Sequence, residues 1–275
     1  MMAQSSIDVL KAMRFTAMAA ELERQLCDPG SYSQLGFEER LSLLVDAEWN
    51  RRQQNKLLRG LHNAHFAAPG ATIEEIEYHE DRRLDKAQIL RFATCKYIDE
   101  GHHIILKGAS GSGKTYLACA LGNAACRKFR SVRYIRLPEL LEELSLAQAA
   151  GELKKTMKFY RKVDLLILDK WLIRRLTPQE SYNLLELVEA RCSHGATIFC
   201  TQYDTSEWYE RINPSSEETS PIPRLLWTAL STMPTISSLM ARFPCGSAMA
   251  QEPGGIMQQQ RRDSNTFVNW DATLY

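Results

Sequence analysis

Gly108-Ala109-Ser110-Gly111-Ser112-Gly113-Lys114-Thr115 is the stretch from which this chain is best read. The eight residues satisfy G-x-x-x-x-G-K-[ST] at every constrained position. Each residue type answers a need of phosphate chemistry. The glycines let the backbone curl so that successive N–H groups point at an anion. Lys114 reaches the β- and γ-phosphates of a nucleotide, and the Thr115 hydroxyl is a ligand for Mg²⁺. The loop follows a short apolar strand, His103 to Leu106, and opens a predicted helix, Lys114 to Phe129. That helix presents its positive N-terminal end to the phosphates. Strand, loop and helix in this order distinguish the motif from a chance Gly/Ser loop. Gly108, Ala109, Ser110, Gly111, Ser112, Gly113, Lys114 and Thr115 are therefore the predicted phosphate cradle.

Downstream, strand and helix signals alternate. Val132 to Leu137 reads as a strand and Pro138 to Ala150 as a helix with Pro at its start. Val163 to Leu168 is a strand, and Thr177, Pro178 and Glu180 form a capping box for a helix reaching Cys192. Ala196 to Cys200 is a further strand. Apolar strands alternating with helices predict an α/β fold: a parallel sheet covered by helices on both faces. Leu165-Leu166-Ile167-Leu168-Asp169 ends in the acid that would hold Mg²⁺ through water. The next position, where many nucleotide hydrolases carry a carboxylate to orient the attacking water, is Lys170. A charged lysine cannot take the water's proton. At the tip of the neighbouring strand, Thr201 and Gln202 either sense the γ-phosphate or cap the strand end; ligands in such sheets bind at the carboxyl ends of strands.

Working outward to the N-terminus, Ile7 to about Leu61 reads as helical, broken at Asp28-Pro29-Gly30. Arg52, Lys56 and Arg59 share one face of the second helix. This is either a solvated face or a contact for DNA phosphate or an acidic partner. Pro69-Gly70-Ala71 reads as the start of a linker. The whole chain of 275 residues has 34 basic and 33 acidic residues, which gives no support for binding nucleic acid by bulk charge. No apolar run is long enough to span a bilayer. Seven cysteines, an odd number with no C-x-x-C pair, argue against a zinc site and suit a reducing cytosol.

With these motifs in hand, the chain resembles the IstB-like ATP-binding proteins, transposition helper ATPases of insertion sequences, similar to the DnaC helicase loader and of the AAA+ class. Supporting stretches are Leu41 to Leu61, Tyr134 to Leu140 and Asp169 to Leu172, and the resemblance covers about Ile7 to Ile222. It implies a helical N-terminal domain (1–68) contacting double-stranded DNA or a partner, a linker (69–86) and a P-loop ATPase core (87–222). It implies ATP and Mg²⁺ as cofactors, Lys114, Asp169 and Gln202 as catalytic residues (with Thr201 sharing the sensor position), and Thr115 and Asp169 as metal ligands. It further implies a cognate transposase as partner, assembly into rings and a cytoplasmic location. Lys170 departs from the family, which has an acid there.

From Pro223 the character changes: 7 of the last 53 residues are charged, against 60 of the first 222. The family's inter-subunit arginine and final strand are not visible. Back-translated with one base restored before Pro223, residues 223–234 can be read as Ser-Glu-Ala-Ile-Met-Asp-Arg-Ile-Val-His-Asn-Ala, which looks like the missing segment. A frameshift makes residues 223–275 a poorly ordered tail and leaves the His103 to Leu106 strand as an open edge; the other reading is a native divergent tail. Two functions follow: an ATP-dependent transposition helper, impaired by Lys170 and the tail, or a non-catalytic nucleotide-binding remnant of a mobile element. A small-molecule kinase would need an arginine-rich lid, which Arg174 and Arg175 alone do not make.

Overall fold

The first four strands of the sheet are short runs rich in apolar residues, and each is followed by a helix. The computed structural model describes residues 2–78, 84–192, 195–212, 221–232 and 235–241. The N-terminal helices are α1 (Met2–Ala12), α2 (Thr16–Cys27) and α3 (Phe37–Ala64). Then come α4 (Lys86–Ala93), α5 (Lys96–Asp99), β1 (His103–Gly108), α6 (Lys114–Arg127), β2 (Val132–Arg136), α7 (Leu137–Ala149), α8 (Leu153–Lys162), β3 (Leu165–Asp169), α9 (Pro178–Cys192) and β4 (Ala196–Thr201). The described part ends with α10 (Thr205–Ile212), α11 (Ile222–Thr232) and β5 (Thr235–Ala241).

All strand pairs are parallel, in the order β2-β3-β4-β1-β5. Strand alternation divides the core in two. Leu165 and Ile167 face one cluster with α4 and α6, while Leu166 and Leu168 face another with α7, α8, α9 and α11. Every residue of β3 is buried, as a strand covered on both faces requires. The predicted capping box forms on α9: Glu180 N donates to Thr177 Oγ1 at 3.3 Å, and Thr177 N donates to Glu180 Oε2 at 2.8 Å.

Four expectations need correction. The first N-terminal helix is two helices, because Arg14 turns left-handed (φ 62°) and α2 folds back on α3. Glu48 of α3 fixes the turn, its Oε2 accepting Ala17 N at 3.0 Å and Met18 N at 3.4 Å. Those are open donors at the start of α2. The division at residue 68 does not hold either, since Leu57, Leu61 and Ala64 of α3 pack into the core beneath the sheet. Nor is the start of the expected linker free: Ala71 and Ile73 are buried, and Asn123 of α6 donates to the carbonyls of Pro69 (3.1 Å) and Ala71 (2.5 Å).

The fourth correction concerns the edge. β5 pairs with β1 along its length, from His103↔Thr235 to Gly108↔Ala241. Thr235-Ile236 supplies β-branched residues at its start. α11 precedes it, with Leu226 and Leu230 buried in the core. Residues 242–275 of the expected tail lie outside the described residues.

Candidate functional site

The loop expected to bind phosphate, Gly108 to Thr115, runs from the end of β1 to the start of α6. Gly111 (φ 78°) and Gly113 (φ 81°) take left-handed conformations that only glycine adopts without strain. Lys114 Nζ donates to the carbonyls of Gly108 (2.8 Å) and Ala109 (2.6 Å), and to Ser112 Oγ (3.3 Å). A phosphate oxygen offers this amine the same kind of acceptor. Burial lowers the Lys114 pKa below the ordinary lysine value, while neighbouring Cys200 and Asp169 oppose that shift.

Asp169 at the end of β3 reaches the loop directly. Thr115 Oγ1 donates to Asp169 Oδ2 at 2.8 Å, Tyr134 OH to the same oxygen at 2.7 Å, and the Lys170 amide to Oδ1 at 2.7 Å. Burial first, and then the bond to Asp169, push the Tyr134 phenol far above its ordinary pKa, so it stays a donor. Ser110, Gly111, Lys114, Thr115, Asp169 and Gln202 line one cleft of ≈ 120 Å³. Hard oxygen donors from Thr115 and Asp169 suit Mg²⁺, and a lysine beside a glycine-rich helix start suits a polyphosphate, so the donor set fits both groups.

Thr201 and Gln202 both line this cleft but differ in burial and partners. Thr201 is buried, and its hydroxyl is engaged on both sides: it donates to Trp171 O (3.3 Å) and accepts from Tyr203 N (3.1 Å). It ties β4 to the turn after β3. Gln202 is exposed beside the cleft, with Nε2 donating to Tyr203 OH at 2.9 Å. Lys170 is exposed and Leu172 fully buried, and both are left-handed (φ 52° each). These two turns drive Trp171 between them into the core, where its ring meets Phe199 edge-on at 4.6 Å. No local sequence pattern marks Tyr134 as part of the site. The only signal for it is the β2–β3 pairing.

The basic face of α3 borders a single groove. Arg52 Nε donates to Glu48 Oε1 at 2.8 Å, and its guanidinium lies over the Phe15 ring at 4.7 Å, so Arg52 is already engaged. Arg52, Lys56, Arg59 and Arg130 line one groove of ≈ 670 Å³ between α3 and the turn before β2, with Lys56 Nζ over the Phe129 ring at 4.8 Å and Arg130 paired with Asp99.

The chain as a whole is similar to known proteins. The profile of the family described as IstB-like ATP binding protein matches residues 8–229. The chain belongs to this family. Among its relatives, the insertion sequence IS1162 ATP-binding protein of Pseudomonas fluorescens is 37% identical over 206 residues, covering 75% of this chain and 89% of that protein. The insertion sequence ATP-binding protein y4pL of Sinorhizobium fredii is 36% identical over 232 residues, covering 83% of this chain and 93% of that one. Among solved structures, the DnaC helicase loader matches with a TM-score of 0.50 at 20% identity, over 62% of this chain and 96% of that chain. That likeness shows the fold: a P-loop AAA+ sheet with its helices. No described helix of this family member is long and apolar enough to cross a membrane.

Proposed function

We propose that the chain is an ATP-binding helper of DNA transposition. It binds ATP with Mg²⁺ through Gly108 to Thr115 and Asp169, assembles on double-stranded DNA in a nucleotide-dependent way and stimulates a cognate transposase in the cytoplasm. The observation carrying this reading is the 2.8 Å bond from Thr115 to Asp169. It unites the two expected metal ligands beside Lys114, across α6 and β3. Bound Mg²⁺ would neutralise charge on the phosphates. Lys114 supplies a further positive charge, and the loop amides and helix end orient the anion. The groove lined by Arg52, Lys56 and Arg59 presents basic side chains to a phosphodiester backbone.

Lys170 favours a second reading, a nucleotide binder with little hydrolysis. The position after Asp169 carries a cation where a water-orienting carboxylate is needed. Calorimetric titration with ATP tests the site. Lys114→Ala removes a charge-assisted contact worth about 1.5–3 kcal/mol, so affinity is expected to fall about 10–150-fold. Equal affinities would reject the site. Steady-state hydrolysis by Lys170→Glu is expected to exceed that of the parent chain; equal rates would remove the argument for impairment at Lys170.

A further inference from the structure

Asp169 is gripped by a side chain that lies outside both sequence motifs. In the β2–β3 register, Tyr134 stands opposite Ile167 and Arg136 opposite Asp169. Tyr134 is 5% exposed, and its hydroxyl crosses to Asp169 Oδ2 at 2.7 Å. With Thr115 on the same oxygen and the Lys170 amide on Oδ1, three donors from three segments hold the carboxylate. A carboxylate offers about four acceptor positions, so the three bonds fix its rotation and leave about one for an outside donor such as a metal-bound water. Thr115, while donating its proton, keeps lone pairs on Oγ1 for a cation.

The chemistry of the third donor matters. An arginine or lysine at position 134 would fix the carboxylate equally well but cancel its charge and repel a divalent cation. A buried phenol fixes it without adding a second cation to Arg136, which already lies beside Tyr134 and Asp169. We propose that Tyr134 is a positioning residue for the divalent cation of this site, holding Asp169 in the rotamer that receives Mg²⁺ bound with the nucleotide. This rests on the ATP–Mg²⁺ reading above and names a residue that acts through Asp169 without touching the nucleotide.

The test is a Mg²⁺ titration of the full chain with a fluorescent ATP analogue (mant-ATP), read as binding and not as turnover. For Tyr134→Phe, the half-saturating Mg²⁺ concentration is expected to rise about 10–100-fold, as for lost outer partners of metal ligands. Affinity for mant-ATP in EDTA should stay unchanged. Two further variants separate positioning from folding. 4-Aminophenylalanine at position 134 returns a donor to the same place and should restore the Mg²⁺ response. On an Asp169→Asn background, Tyr134→Phe should add nothing, because the two residues act as one unit. An unshifted Mg²⁺ response in Tyr134→Phe overturns the proposal. So does an equal loss of affinity in EDTA and in Mg²⁺, or an additive effect on the Asp169→Asn background. If the wild-type chain itself binds mant-ATP with no dependence on Mg²⁺, the metal reading fails first, and wild-type data alone reveal it.

Discussion

His103, at the foot of β1, is a fully buried histidine whose Nδ1 accepts Thr197 N at 3.1 Å. That bond puts the ring proton on Nε2, which has no partner among the described residues. Burial above all, then the charge of Arg191 on α9 and the adjacent His102, lower its pKa to about 4. The sign follows directly. The unfolded chain takes up this proton near pH 6.5 and the folded chain only near pH 4. The contribution to stability is complete above pH 6.5 and is lost as pH falls through that window. At full extent it is on the order of 3 kcal/mol. Urea unfolding at pH 7.5 and pH 5 is expected to show about 2 kcal/mol more loss for the wild type than for His103→Asn, which keeps an acceptor but does not titrate. Parallel pH dependences would mean that the folded chain protonates His103 without penalty.

Within α6, Gly122 marks a close approach to the segment after α3. A Cβ there would lie 2.5 Å from Phe66 Cε1 and 3.0 Å from Ile167 Cδ1. The segment after α3 thus lies on the bare backbone of the helix that carries the phosphate loop. Gly122→Ala gains up to about 1 kcal/mol of helix propensity. The overlap should outweigh that gain, for a net loss of about 1–2 kcal/mol by chemical unfolding. Phe66→Leu in the same chain should recover part of it, and additive losses would refute the contact. Such packing explains what could be read in the sequence. β1, β3, β4 and the loop residues Gly108 to Thr115 were legible because local apolar runs and turn residues mark them. α8 went unassigned, although Leu153, Met157 and Tyr160 recur at helical spacing, because five basic residues mask so thin an apolar stripe. The break at Arg14, the docking of Pro69 to Ile73 and the grip of Tyr134 on Asp169 depend on partners roughly 30 to 55 positions away, which no local pattern records.

For the molecule as a whole, β1 lies inside the sheet, between β4 and β5, so the strand feeding the phosphate loop has both backbone edges paired. A chain cut after Thr232 loses β5 and presents the apolar edge of β1 to solvent. Light scattering is expected to find that chain aggregating under conditions where the full chain stays dispersed; equal dispersion would make β5 dispensable. The same arrangement sets a timetable on the ribosome. Ile104 must wait for Ile198, and His103 for Thr235, before pairing on either side. These partners emerge roughly 90 and 130 residues later, a delay on the order of ten seconds at usual translation speeds. Throughout that interval the nascent phosphate loop hangs from an unpaired strand. Nucleotide therefore cannot assist the early stages of folding, and a chaperone has that long to shield Ile104, Ile105 and Leu106 from neighbouring nascent chains.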